Sequence, residues 1–252
     1  MMSLPLPLAK DVVLVGGGHA HALLLRKWGM NPVPGARLTL INPAATAPYT
    51  GMLPGFVAGH YDRDELEIDL VRLARFAGAR LIFGRVEALD PKARTLTVAD
   101  RPVIPFDLAS IDIGITSTMP EIPGFTEHGV AAKPLGPFAA RWQAFLEGDA
   151  GDVAVIGAGV AGVELSLTMR HALGPRGNIT VIEAETALQA LAAGARNKLL
   201  DRMSSAGITL IEDARVTQVA DDSVTLDSGQ TIPAALTVVA AGARPFPWLS
   251  DT

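Results

Sequence analysis

The residues with the clearest chemistry form the run Gly157-Ala158-Gly159-Val160-Ala161-Gly162, a complete G-x-G-x-x-G. A strand-like segment, Val153-Ala154-Val155-Ile156, precedes it, a helical pattern follows, and Glu183 lies twenty-six positions beyond Gly157. In that setting the first glycine makes a tight turn and the second lets backbone amides approach a pyrophosphate. The third allows helix and strand to pack closely. The helix N-terminus adds partial positive charge. Glu183, ending the second strand, can accept both hydroxyls of an adenine ribose. A 2′-phosphate there would meet like charge costing roughly 2–7 kcal/mol at about 5 Å, and Ala184-Glu185 offer no arginine to offset it. This half is therefore expected to prefer NAD(H) over NADP(H). The competing readings are a glycine turn that binds nothing and a solvated strand-end glutamate.

A second glycine run, Gly16-Gly17-Gly18-His19-Ala20-His21, departs from the fingerprint. His21 stands where the third glycine belongs, and Asn42 stands where the acid belongs. An amide can still hydrogen-bond a ribose hydroxyl. His19, at the helix start, could donate to a pyrophosphate oxygen; alternatively both histidines only pack or cap. Beyond Asn42 comes Ala47-Pro48-Tyr49-Thr50-Gly51-Met52-Leu53-Pro54-Gly55, apolar and bracketed by proline. It falls past the carboxyl ends of the strands, where doubly wound sheets bind ligands. A planar ring could lie along it with Thr50 as a polar contact, or it is a rigid structural loop.

The elements that must position these residues repeat. Val12-Val13-Leu14-Val15 before Gly16 matches the apolar run before Gly157, and Asn42 follows Gly16 at the same twenty-six-residue spacing as Glu183 follows Gly157. Arg85-Val86 recurs as Arg215-Val216, and Ser110 to Gly114 recurs as Val238 to Gly242. The first copy carries about eleven extra residues between Asn42 and Val86. Each copy reads as strand, helix, strand, helix, strand, a small antiparallel insertion and a final strand. Helical patterns run roughly over 19–28, 64–77, 160–174 and 192–206, with Asp64 and Glu67 as a capping box for the second. The expected fold is α/β, with two doubly wound Rossmann-like dinucleotide-binding domains. The domain boundaries are 1–117, 118–245 and a short third piece, 246–252. A linker over about 115–137 is marked by Pro120, Pro123, Gly124, Pro134, Gly136 and Pro137.

Composition removes other classes. The 252 residues include no cysteine, which excludes disulfides, thiolate metal sites and cysteine nucleophiles. No metal site is expected. A net charge of −5 with pI near 5.5 argues against nucleic acid as a partner. No apolar stretch reaches the length of a membrane span, and Met1 to Asp11 does not read as a signal peptide. A cytoplasmic location fits, and peripheral contact with the inner face of the membrane stays open.

Two such halves, each closing on a strand and a glycine (Gly114, Gly242), resemble the pyridine nucleotide-disulfide oxidoreductase superfamily. More narrowly, Val15 to His21, Pro48 to Gly55, Ala58-Gly59-His60-Tyr61, Ser110 to Gly114 and Lys133-Pro134 resemble its NADH dehydrogenase-like branch. Some relatives in that branch are fused to selenophosphate synthetase. The resemblance implies FAD in the first half and NAD(H) in the second. Gly16, Gly18 and His19 would face the FAD pyrophosphate, Asn42 the adenosine ribose, the Val86 backbone the adenine, and Thr50 to Met52 the isoalloxazine. Gly157, Gly159, Gly162 and Glu183 would hold NADH, with Glu164 near the nicotinamide.

This chain lacks the C-x4-C pair of the disulfide reductases, so disulfide chemistry does not carry over. The family also returns to its flavin domain after the second half and adds a C-terminal interface domain that would carry any membrane contact. The chain stops where that return begins, near Arg244 to Leu249, and reads as truncated. The expected activity of the intact parent is FAD-dependent transfer from NADH to a non-disulfide acceptor, a small molecule such as a quinone. Glu164 and Thr50 would be the residues at the reacting rings. The alternative is a non-catalytic NAD(H)/FAD-binding or regulatory module. A solvated linker lysine is the simplest reading of Lys133.

Overall fold

Short β-branched runs separated by stretches of helical period fold as their periods require. The structure, a computed structural model, describes residues 9–117 and 121–250. Residues 1–8, the linker's Pro120 with the two residues before it, and 251–252 lie outside the described residues. As far as Gly114 the order is β1 (Lys10–Val15), α1 (His19–Met30), β2 (Ala36–Asn42), β3 (Thr46–Pro48), α2 (Leu53–Val57), β4 (Glu67–Asp69), α3 (Leu70–Ala77), β5 (Arg80–Phe83), β6 (Val86–Asp90), β7 (Thr95–Val98), β8 (Ile104–Pro105) and β9 (Leu108–Ile111). There follow β10 (Thr116–Ser117), α4 (Phe125–His128), β11 (Gly129–Ala131), α5 (Leu135–Glu147), β12 (Val153–Ile156), α6 (Val160–Leu173), β13 (Ile179–Ile182), α7 (Ala193–Ser205), β14 (Ile208–Ile211), β15 (Val216–Val219), β16 (Ser223–Leu226), β17 (Thr231–Pro233), β18 (Leu236–Val239) and β19 (Ala243–Arg244).

The chain divides into two compact units. One is drawn from residues up to Tyr49, Glu67–Gly114 and from Pro245 onward; the other comprises Thr50–Leu66 and Ile115–Arg244. In the first unit the sheet order is β5-β2-β1-β9 with every pair parallel, because a helix or longer connection carries the chain back between neighbours. Val13 and Val15 face one core with Ile41, Ile82 and the small sheet β6-β7-β8, while Leu14, Leu38 and Leu40 face the other beneath α1 and α3. The second unit has the parallel order β11-β18-β12-β13-β14 and its own antiparallel set, β15-β16-β17.

The repeat holds at the level of hydrogen bonds. Val15 is in register with Ile41 and Ile156 with Ile182. The Gly16 amide donates to Ile41 O and the Gly157 amide to Ile182 O, both at 2.8 Å. Equal spacing from glycine to strand end therefore reflects equal geometry.

Three expectations change. The helix expected over 64–77 begins only at Leu70, and Asp64 with Glu67 does not form a capping box. Residues 64–66 make a 3₁₀ turn and Glu67 enters β4, paired with β3. Asp69 is the N-cap instead, accepting the Arg72 amide at 2.8 Å. The stretch 115–137 is not a bare linker: it carries α4 and β11, and β11 pairs with β18 as an edge strand. Residues 50–66, kept with the first half on sequence, pack in the second unit. Leu53, Phe56, Val57 and Leu66 are buried there in one core with Trp142, Val163 and Leu165, where their apolar area leaves water.

Candidate functional site

The second glycine loop links β12 to α6. Gly157 has φ +103°, a conformation side chains resist. A Cβ on Gly162 would lie 1.9 Å from the Gly157 carbonyl oxygen, so only glycine lets the helix start this close to the loop. A Cβ on Gly159 would meet nothing within 4 Å, so the loop is open on that side. No side chain caps α6, and Gly159, Val160 and Ala161 are exposed. The first-turn amides of a helix have no partners within it, so this end presents donors and partial positive charge outward. Glu183 Oε2 accepts the Ala158 amide at 2.7 Å, and Oε1 accepts the Glu185 amide at 3.2 Å. The loop thus fixes the carboxylate while each oxygen retains a free lone pair. It is half-buried and tethered, not a freely solvated strand end.

The first loop has the same path and different chemistry. Gly16 has φ +89°, and a Cβ there would come 2.3 Å from the Asp112 carbonyl oxygen. A Cβ on Gly18 would fall 2.2 Å from the Asp112 carboxylate. That carboxylate accepts the His21 amide in the first turn of α1 at 3.0 Å, so the chain's own anion occupies part of this helix N-terminus. Asn42 is buried: Oδ1 accepts the Gly17 amide at 2.9 Å, and Nδ2 donates to Ala44 O at 2.7 Å. His21 is also buried, with Nδ1 2.7 Å from Gly16 O and Nε2 2.9 Å from Ser110 Oγ. Its imidazole does what close packing does in the second loop. Replacing His21 with alanine leaves both partners unsatisfied and is expected to cost roughly 2–3 kcal/mol of stability, read as a lowered urea midpoint. A loss under ~0.5 kcal/mol would show that the ring only fills space. His19 is exposed beside Tyr49, ring centroids 5.8 Å apart.

A cavity of about 280 Å³ lies within the second unit. Leu53, Pro54, Ile115, Ala132, Leu165, Ala240 and other apolar groups line most of it, with Thr50, Lys133 and Glu164 supplying polarity. The structure thus brings Thr50 together with Glu164, although 114 positions separate them. Glu164 sits on the second turn of α6, just past Gly162. Lys133 follows β11 and is half-buried; burial pushes its ammonium below the usual lysine range. The linker reading gives no hint of this, because only the pairing of β11 brings Lys133 to the cavity. Asp112 is the other residue missed. Its only sequence signal is an acid directly after a strand whose neighbour ends in a glycine loop.

The remaining singled-out residues scatter more widely. Val86 is buried at the start of β6. Met52 ends a 3₁₀ turn and packs on the second unit's core. Gly114 and Gly242 occupy matching turns, φ +73° and +71°, after the last parallel strand of each unit. Among the described residues no group of three or more His, Asp or Glu is placed to hold a metal ion.

Two parallel α/β sheets share a 3-2-1-4 order, β5-β2-β1-β9 and β14-β13-β12-β18, the second extended at its edge by β11. Each has a glycine turn after its central strand, β1 or β12, and they define a pair of Rossmann-like dinucleotide-binding folds. The pyridine nucleotide-disulphide oxidoreductase family model matches residues 10–250, and the chain belongs to that family. It is similar to the NADH dehydrogenase-like protein YutJ of Bacillus subtilis, 24% identical over 243 residues, covering 94% of this chain and 66% of that protein. It is 26% identical over 155 residues to the demethylphylloquinone reductase NdbB of Synechocystis, covering 58% of this chain and 38% of that one. The chain therefore spans less than two thirds of either relative. The solved structure of an NAD-dependent persulfide reductase from A. fulgidus superposes with a TM-score of 0.84 at 22% identity, covering 96% of this chain and 47% of the other. That likeness concerns the fold.

Proposed function

We propose that this chain binds NADH on the second glycine loop and FAD on the first. Its role would be that of the nucleotide-binding core of an NADH dehydrogenase-like oxidoreductase with a small-molecule, non-disulfide acceptor. The observation that carries the reading is the α6 N-terminus. It is uncapped and exposed, lies against an open Gly159, is flanked by the tethered Glu183, and is followed at Glu164 by the cavity. Pyrophosphate would sit on the amides of residues 159–161, and Glu183 would accept the ribose hydroxyls. Glu164 would orient the nicotinamide at the cavity and Thr50 would contact the flavin ring, and the apolar lining would exclude water. The first loop fits a flavin nucleotide less fully. The amides at the start of α1 remain for a pyrophosphate, but Asp112 holds one first-turn position and Asn42 is engaged inside the protein. Bound flavin would supply the two-electron acceptor for hydride and its onward transfer. Quinone is the favoured acceptor class, supported by the similarity to the demethylphylloquinone reductase of Synechocystis.

The test is titration of purified chain with NADH and NADPH. NADH binding at least tenfold tighter is expected, with the preference lost in Glu183→Ala. Equal binding of the two by the native chain would sink the assignment of Glu183. The Asp112 carboxylate favours a second reading, an NADH-binding module without flavin. A yellow preparation that bleaches with NADH supports the oxidoreductase; a colourless one that binds NADH supports the module.

A further inference from the structure

The chain as a whole is acidic, yet α1 and α3 carry four Lys/Arg and no Asp or Glu. The two helices lie side by side in the first unit: a Cβ on Gly29 would fall 2.3 Å from the Phe76 ring. Leu23, Arg26, Lys27 and Met30 recur at i, i+3, i+4 and i+7 and so share one face of α1. Arg72, Arg75 and Phe76 share a face of α3. All are exposed, with Leu23, Met30 and Phe76 at 60%, 55% and 56%. The residues buried from the same helices, Leu25, Leu70 and Ala74 among them, belong to the opposite faces.

Among the described residues none of these four cations is in an ion pair. The acids at the starts of the adjoining strands, Asp11 and Asp107, are taken by Arg37 and Lys10. Asp69 accepts a backbone amide at the head of α3. Cations in a last turn complement the helix dipole, which accounts for Lys27 and Arg75. It accounts for neither the other two cations nor three large apolar side chains in water.

We propose that the α1–α3 face docks on the surface of an anionic phospholipid bilayer. A second copy of the chain meeting this face about a two-fold axis would set cations against cations. An acidic protein would answer the charge alone. A lipid surface answers both features: Leu23, Met30 and Phe76 enter the boundary of the acyl region while arginine and lysine stems extend to the phosphates. No helix among the described residues is long and apolar enough to cross a membrane, and surface docking needs none. The inference stands apart from the nucleotide assignment, since it uses none of the same residues.

The test is co-sedimentation with phosphatidylcholine vesicles, with and without phosphatidylglycerol, at low salt. Binding is expected only to the anionic vesicles. Arg26→Gln with Arg75→Gln should weaken it about 25-fold, roughly fivefold per cation removed. A second readout keeps the native charges. Because the chain has no cysteine, Phe76→Cys carries a single environment-sensitive fluorophore, whose emission should shift to the blue when anionic vesicles are added. Equal binding to both vesicles, binding to neither, or undiminished binding by a natively folded double variant would overturn the proposal. So would a label that stays as in water while the protein sediments. Binding to soluble polyglutamate but not to vesicles would replace the bilayer with an acidic protein.

Discussion

Gly162→Ala is expected to weaken NADH binding by about 100-fold, more than the loss of any one polar side chain at the loop. The added Cβ would fall 1.9 Å from the Gly157 carbonyl oxygen, which is backbone and cannot rotate away. Either α6 or the loop must withdraw by about 1.5 Å to restore van der Waals contact. Withdrawal misaligns the helix-start amides from a pyrophosphate. Charge-assisted hydrogen bonds are worth ~1.5–3 kcal/mol each, so losing two accounts for a factor of about 100 or more. Stability should fall by only ~1–3 kcal/mol, the usual cost of overpacking. Calorimetric titration with NADH beside a urea unfolding curve separates the two effects. Unchanged NADH affinity would mean that the second loop is not the pyrophosphate site. His21, at the matching position of the first loop, marks the contrast: there the ring Nδ1–H donates to the Gly16 carbonyl oxygen, and the helix start is held by that bond instead of by contact.

The second large effect concerns Trp142 on α5. Its side chain is 1% exposed, and Nε1 donates to Val57 O at 3.0 Å, tying α5 to α2 within the second unit. Trp142→Ala should cost roughly 3–5 kcal/mol, measured by urea denaturation. Val57 O would also lose its partner. Trp142→Phe keeps much of the packing and removes the donor, so its expected cost is ~1–3 kcal/mol. The consequence reaches the cavity, because Leu53 and Pro54 of α2 line it and rest on the same core. NADH affinity of the phenylalanine variant should fall modestly while the protein remains folded. An alanine variant destabilised by less than ~1 kcal/mol would show that this bond and core contact do not anchor residues 50–66.

Much of the fold is legible in the sequence because its determinants are local. Glycine turns, period-2 and period-3.6 apolar runs, and the equal spacing of Gly16 to Asn42 and Gly157 to Glu183 specify strand, turn, helix and strand in that order. Helices beginning at His19, Val160 and Ala193 are where the patterns put them. The failures share one cause. Asp64 and Glu67 have the spacing of a capping box, but Glu67 pairs into β4, so a long-range ladder outweighs a local cap and the helix waits for Asp69. Residues 129–131 are too short to signal a strand, yet the open edge of β18 supplies the hydrogen bonds that make them one.

The sequence by itself determined the two nucleotide-binding folds, the candidate loops and the exclusion of thiol chemistry, since composition and short spacings suffice for each. Only the tertiary structure decided what surrounds them. It drew residues 50–66 into the second unit, so that Thr50 and Glu164 line one cavity with a half-buried Lys133. It turned Asn42 and His21 inward, into hydrogen bonds with their own loop, and set Asp112 against the first helix. Apart from the short bond between His21 and Gly16, those outcomes depend on which group reaches which partner across 25 to about 115 positions of chain. Spacing along the sequence does not encode that reach; packing and the demand that buried polar groups be paired settle it.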